Sequence, residues 1–166
     1  GEGGLRVLPG GEHFLDATFL RRLEEGKALE YPRSRGVLLE LSLQQGATFP
    51  GLREVMFRIR VKGFQPILAH PERYDRSHRS IEWLEQLRGE GVAMLGDVLS
   101  LNGKSGRASR KALERMMDRG LIDGMCADVH SPEDLPALEE SLGILEKAVG
   151  RSGVDSLLGW GRIFTG

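Results

Sequence analysis

Short apolar runs alternate along this chain with longer amphipathic stretches, and several of those stretches close on a glycine. The most constraining run is Gly36–Leu43 (GVLLELSL), apolar at nearly every position except Glu40 and Ser42. Such a run suits a strand buried on both faces, as in parallel sheets. Leu5–Leu8, ending at Pro9-Gly10-Gly11, reads as an earlier strand, and Phe64–Ala69, Val92–Leu95 and Leu121–Ala127 as later ones. Between them, Asp16 is placed to cap a helix to about Glu25, stopped by Gly26. Pro50–Lys62 reads as a helix with Gly63 just past its end. A third helix starts at Ser77 or Ser80 and runs to about Gly89, with Ile81, Leu84 and Leu87 on one face. Ala108–Arg119, closed by Gly120, then Ala137–Val149 and a shorter segment near Val154–Leu158 complete the pattern. This alternation predicts parallel βα units with right-handed crossovers. About five strands are too few for an eight-stranded barrel. Part of a barrel or an open doubly wound sheet are the architectures left.

Bulk properties narrow the function classes. The 166 residues suffice for one domain with a core, and a net charge of −1 gives no electrostatic case for nucleic acid or an anionic membrane. No apolar run approaches the roughly 20 residues needed for membrane insertion as a helix, and no signal peptide is visible. The one cysteine, Cys126, has no internal disulfide partner, which fits a cytoplasmic location. The chain opens Gly1-Glu2-Gly3-Gly4 without Met, and the expectation is a piece of a longer protein, with a processed or tagged start as the alternative.

The chemistry concentrates where apolar runs end. Ile67-Leu68-Ala69-His70-Pro71-Glu72-Arg73-Tyr74 and Cys126-Ala127-Asp128-Val129-His130 each stop abruptly in groups able to bind a metal. In parallel α/β folds, functional groups gather at the carboxyl ends of strands. Glu12 follows the first predicted strand, Glu40 interrupts the second, His70 ends the third, and Asp128 and His130 end the last. These five could converge on one side of the sheet. Taken singly, each has a plain alternative: Glu40 paired with Arg33 or Arg35, His70 bonded to a loop carbonyl, Asp128 capping a turn. Positions i and i+2 of an extended chain share a face, so Asp128 and His130 can reach one pocket. Arg73 is suited to holding phosphate oxygens bidentately, the alternative being a surface pair with Glu72 or Asp75. Tyr74 either walls the pocket or packs, and Asp97 could face it from a strand end. His13 and His78 read as surface residues, and Trp83 and Trp160 as packing groups.

Two other chemistries are disfavoured. Asn102-Gly103-Lys104-Ser105-Gly106 lacks the order of a Walker A loop and reads as a turn entering a helix, against a kinase or nucleotide-binding role. A cysteine phosphatase uses Cys-x5-Arg, but Pro132 stands six residues after Cys126, which is better read as a small buried strand residue.

The block Pro66–Tyr74 resembles the PHP (polymerase and histidinol phosphatase) superfamily, and within it the bacterial capsule-type tyrosine-protein phosphatases. Pro9-Gly10-Gly11-Glu12, Leu38-Leu39-Glu40, Ser100-Leu101-x-Gly103-x-x-Gly106, Ala127-Asp128-Val129-His130 and the closing Ile163-Phe164-Thr165-Gly166 match in order and spacing. The resemblance implies an α/β fold, a distorted (β/α)7 TIM-type barrel of which this chain holds the C-terminal two-thirds, as one N-terminally incomplete domain over 1–166. It implies a metal-dependent phosphatase with Mn2+, or Fe or Zn, in a cluster of up to three ions in the full-length protein. Glu12, Glu40, His70, Asp128 and His130 are the implied metal ligands. His70, Arg73, Asp128 and His130 are the implied catalytic groups, with Arg73 on the substrate phosphate. The implied partner is the phosphotyrosine tail of a bacterial tyrosine kinase controlling capsule or exopolysaccharide export. The family's pattern begins with a His-x-His strand and a further ligand, which this chain lacks, and Leu135 stands near the place of a usual Arg. A PHP phosphatase of a small phosphate ester and a non-catalytic domain binding a phosphorylated tail are the alternatives. The sequence leaves the oligomeric state open.

Overall fold

The computed structural model describes residues 10–31, 34–43 and 51–159. Its strands are β1 Glu12–Phe14, β2 Gly36–Glu40, β3 Gln65–Ala69, β4 Ala93–Asp97 and β5 Gly124–Cys126. They form one sheet, all parallel, in the order β1-β2-β3-β4-β5. The helices are α1 Ala17–Glu24, α2 Leu52–Val61, α3 Asp75–Arg79, α4 Glu82–Gly89, α5 Arg107–Asp118 and α6 Leu135–Leu158. Among the described residues, no helix is long and apolar enough to cross a membrane.

Strand order bears on one of the two architectures. A doubly wound sheet reverses order at a switch point. This sheet never does, so right-handed crossovers place successive helices on one face. Burial agrees with that arrangement. Val37, Leu39, Leu68 and Met94 share a core with Phe19 and Leu23 of α1, Val55, Met56 and Ile59 of α2, and Trp83, Leu84 and Leu87 of α4. The alternate residues Leu38, Ile67, Ala69 and Leu95 form a smaller cluster on the opposite, inner face. The apolar run at Gly36–Glu40 is thus buried on both sides, as its composition predicts.

Local signals hold well at helix ends. Asp16 caps α1 by accepting from the Phe19 backbone N–H at 2.8 Å. Gly63 takes a left-handed φ of 81° after α2. Its N–H bonds Arg60 O at 2.8 Å and that of Phe64 bonds Ile59 O at 3.2 Å, closing the last carbonyls. The segment α6 is broken at Gly150, giving two helical pieces where two are predicted. The helix expected from Ser77 or Ser80 begins later, at Glu82, because Asp75–Arg79 forms a separate short helix and Ser80 is extended at its end. Leu121–Ala127 shortens to β5, Gly124–Cys126. The predicted strand Leu5–Leu8 lies outside the described residues, and Glu12 opens β1 rather than following a strand.

Tyr74 ties two strand ends together. Fully buried, its hydroxyl donates to Ala69 O at 2.9 Å and accepts from the Leu41 N–H at 3.1 Å. Its ring packs against Trp83, with centroids 6.2 Å apart. Of the two roles open to Tyr74, the structure gives packing. Tyr74→Phe strands a buried donor and a buried acceptor, so a loss of about 1–3 kcal/mol is expected in urea unfolding. An unchanged unfolding midpoint would show that neither backbone group depends on the hydroxyl.

Candidate metal centre

Parallel pairing fixes which side chains share the inner face. Glu12 is in register with Leu38, and Phe14 with Glu40, so Glu12 and Glu40 project to the side of Leu38. Ala69 ends β3 on that same side, and His70 follows it. His70 has φ 32° and ψ 54°, the only positive φ outside glycine among the described residues. A left-handed residue before a proline is disfavoured, and such geometry clusters at functional positions. Hydrogen bonds hold it there: the His70 N–H donates to Leu95 O at 2.8 Å, and His70 O accepts from the Arg73 N–H at 2.9 Å.

The turn aims the imidazole at the two acids. His70 Nε2 lies 3.2 Å from Glu12 Oε1 and 3.6 Å from Glu40 Oε1. One donor atom from each of the three residues falls within 4.8 Å of the others. One imidazole nitrogen and two carboxylates at that spacing fit a divalent cation of the Mn, Fe or Zn kind. Among the described residues, no Lys or Arg pairs with Glu12 or Glu40, whose nearest ionisable partner is His70. Arg35 pairs instead with Glu30, and Arg33 lies outside the described residues. Burial lowers the His70 pKa, but the hydrogen bond to Glu12 and nearby acids outweigh it, and the net direction is upward. His70 Nδ1 is buried without a hydrogen-bond partner.

A second group lies at the ends of β4 and β5. His130 Nε2 is 3.4 Å from Asp128 Oδ2, so the Asp-x-His pair meets as the i, i+2 spacing predicts. The His130 side chain is exposed. The five expected ligands therefore form two groups, and among the described residues only Glu12, Glu40 and His70 make a set of three with donors close enough to share one ion. Arg73 serves the second group. Its Nη1 donates to Asp128 Oδ2 at 2.7 Å and its Nη2 pairs with Asp97 Oδ2. Neither Glu72 nor Asp75, the surface partners considered for it, takes that role. Burial raises the Asp128 pKa, but the Arg73 hydrogen bond and charge reverse this and hold it below the ordinary carboxylate value.

Beneath this layer sits Glu72, fully buried. Its Oε1 accepts from Ser100 Oγ at 2.8 Å and from the Asp97 N–H at 3.2 Å, while Oε2 has no partner. Burial pushes its carboxyl up to about 7. No local signal marks Glu72 as interior, since an acid between Pro71 and Arg73 reads as solvent-facing. His13 is also buried, contrary to expectation: its Nε2 accepts from the Leu29 N–H at 3.1 Å and its ring packs on Phe19. Its alternation with Glu12 and Phe14 along β1 is the signal that turns it toward the helices. His78 touches Ser109 Oγ at 3.2 Å, and Trp83 packs in the core as expected, while Trp160 lies outside the described residues. Burial pushes the Cys126 thiol up to about 12, so it is no thiolate nucleophile.

Two expected outcomes follow. His70→Ala or Glu40→Gln should weaken Mn2+ binding roughly tenfold or more in calorimetry, and affinity should fall as pH drops, because proton and cation compete for the same donors. Equal affinity in wild type and His70→Ala would remove this residue from the site. Asp134 Oδ2 accepts from the His130 N–H at 2.9 Å and the Ser131 N–H at 3.3 Å, and Oδ1 pairs with Lys104. Asp134→Ala should therefore speed hydrogen exchange at the His130 and Ser131 amides and cost about 1 kcal/mol, as loss of a cap does. Unchanged exchange would mean that another group orders this loop.

Comparison with known proteins places the chain. The chain is 25% identical over 147 residues to the tyrosine-protein phosphatase YwqE of Bacillus subtilis, covering 88% of this chain and 57% of that protein. It is 24% identical over 139 residues to the CapC protein of Staphylococcus aureus, covering 84% of this chain and 54% of that one. The chain thus spans little more than half the length of these curated relatives. Its fold matches a structure from work on YwqE of Bacillus subtilis and CpsB of Streptococcus pneumoniae, described there as unique metal-dependent tyrosine phosphatases. The TM-score is 0.84 at 23% identity, over 97% of this chain and 65% of that one. The model of the family described as capsular polysaccharide synthesis, CpsB/CapC, matches residues 2–160, and the chain belongs to that family.

Proposed function

We propose that residues 1–166 form a single PHP-type phosphatase domain that hydrolyses protein phosphotyrosine with the help of divalent metal ions. The observation that carries this reading is the convergence of Glu12, Glu40 and His70 donor atoms within 4.8 Å, at the strand ends from which Arg73 also arises. The unreversed, singly wound sheet supports a wall of a distorted (β/α)7 barrel, with the site on its inner face. Glu12, Glu40 and His70 hold one cation, and Asp128 with His130 supplies ligands for the rest of a cluster of up to three ions. Mn2+ is the proposed metal, with Fe or Zn suited to the same donors. Bound there, such an ion supplies Lewis acidity toward a phosphoryl oxygen and lowers the pKa of water.

This chain's own groups do the orienting. Arg73 offers a planar fork of donors to phosphoryl oxygens. Its pairing with Asp97 and Asp128 keeps the guanidinium charged and limits its motion. Electrostatic groups fixed before substrate arrives lose little free energy to reorganisation. The proposed substrate is the phosphotyrosine tail of a bacterial tyrosine kinase that controls capsule or exopolysaccharide export, which the family description supports. The proposed location is the cytoplasm, in keeping with the single free Cys126.

One observation favours a binding role without turnover: Leu135, near the place of a usual Arg, stands exposed at the start of α6 and offers no donor. The test is phosphotyrosyl-peptide hydrolysis with Mn2+, for this chain beside a version extended upstream and beside Arg73→Ala. Turnover that falls about 10–100-fold in Arg73→Ala supports the phosphatase reading. An extended protein that binds Mn2+ and phosphopeptide yet releases no phosphate moves the binding role ahead. Preference for a small alkyl phosphate over the peptide would overturn the substrate.

A further inference from the structure

Asp97 is a fully enclosed acid that the proposed metal site does not use. It ends β4, on the inner face in register with Cys126, and its side chain is fully buried. A buried carboxylate without compensation is costly, so its partners show what it is for. Oδ1 accepts from the Leu99 N–H at 3.0 Å and from the Asp128 N–H at 3.3 Å. Oδ2 pairs with Arg73 Nη2. One carboxylate therefore holds the backbone at Asp128 through one oxygen and the Arg73 guanidinium through the other. Glu72 Oε1 in turn fixes the Asp97 backbone N–H at 3.2 Å.

Arg73 needs such an anchor. Its side chain is largely buried, its Nε has no hydrogen-bond partner, and its other contact, Asp128, is itself a candidate ligand. A long side chain with this much rotamer freedom stays aimed only if something holds it. Asp128 is partly exposed, whereas Asp97 is fully enclosed and tied to the backbone on two sides.

We propose that Asp97 is the positioning residue that aims Arg73 at the substrate phosphate and sets the Asp128 backbone beside it. Asp97 touches no substrate atom and acts through Arg73. The role of the phosphate rests on the phosphatase reading above, but the anchoring does not.

The test uses Asp97→Asn in the upstream-extended protein, with NMR recorded without Mn2+, whose paramagnetism would broaden nearby resonances, and kinetics recorded with it. Asn keeps an oxygen for the Leu99 and Asp128 amides but turns an NH2 toward the guanidinium. The first readout is the Arg73 side-chain Nε–H resonance in 15N NMR, assigned by its loss in Arg73→Lys. In Asp97→Asn it should shift and broaden while the Leu99 and Asp128 amide resonances stay in place. The second readout is kinetic: kcat/KM should fall about 10–100-fold, mostly in KM, as for other groups that orient a primary contact. In an Arg73→Ala background the same substitution should add no loss. An unmoved Arg73 resonance overturns the proposal, whatever the activity. So does a loss that adds fully to that of Arg73→Ala, or a collapse of the Leu99 and Asp128 amides, since either means a merely structural acid. If wild type hydrolyses no phosphate ester, the phosphatase reading fails, and the Arg73 resonance alone decides whether Asp97 anchors it.

Discussion

The inner face of this protein depends on strand register. Glu12 stands opposite Leu38 and Phe14 opposite Glu40, while Asp97 stands opposite Cys126. Because side chains alternate, a slip of one residue in either pairing would turn an acid from the inner face into the helix-packed core. The apolar residues on both sides of β2 and β3 resist that slip, since each is buried in a different cluster. Packing thus specifies the position of the charges, although the charges themselves contribute little to the packing.

Given that register, the site divides its acids between two kinds of counter-charge. Glu12 and Glu40 face an imidazole, which binds a proton or a metal ion but not both at one nitrogen. Asp97 and Asp128 face a guanidinium, which stays protonated. The left-handed turn at His70 makes the division geometric: the imidazole and the guanidinium leave the chain three residues apart and point to different acid pairs. The carboxylates that have a permanent partner are the ones beside Arg73. Those without one are the ones whose donors cluster.

Much of the fold was legible in the chain because its signals are local. Asp16, Gly63 and Gly120 mark helix ends through hydrogen bonds made within a few residues, and the Gly36–Leu43 run declares a doubly buried strand by composition alone. The strand order was not legible, because periodicity carries no information about which strand lies beside which. At the site, the three-residue cluster grew from residues visible at the ends of apolar runs. Glu72 and His13 were misjudged for a common reason: polarity argues for exposure, and only three-dimensional neighbours such as Ser100 and the Leu29 backbone reverse it. Arg73 stands out in the sequence as a candidate, but its partners come from β4 and the loop after β5, a separation no motif spans.

The sequential order of the sheet has a consequence for how the chain comes into being. Among the described residues, each of β2 to β5 pairs with the strand before it, so no pairing within this sheet waits for a more distant strand. Each pairing therefore closes a loop of one crossover only, which limits its entropic cost. On a ribosome, each of β2 to β5 emerges with the strand it pairs with already made. The acids of β1 and β2 are laid down before His70 arrives to meet them, and the arginine is in place before Asp128 is synthesised.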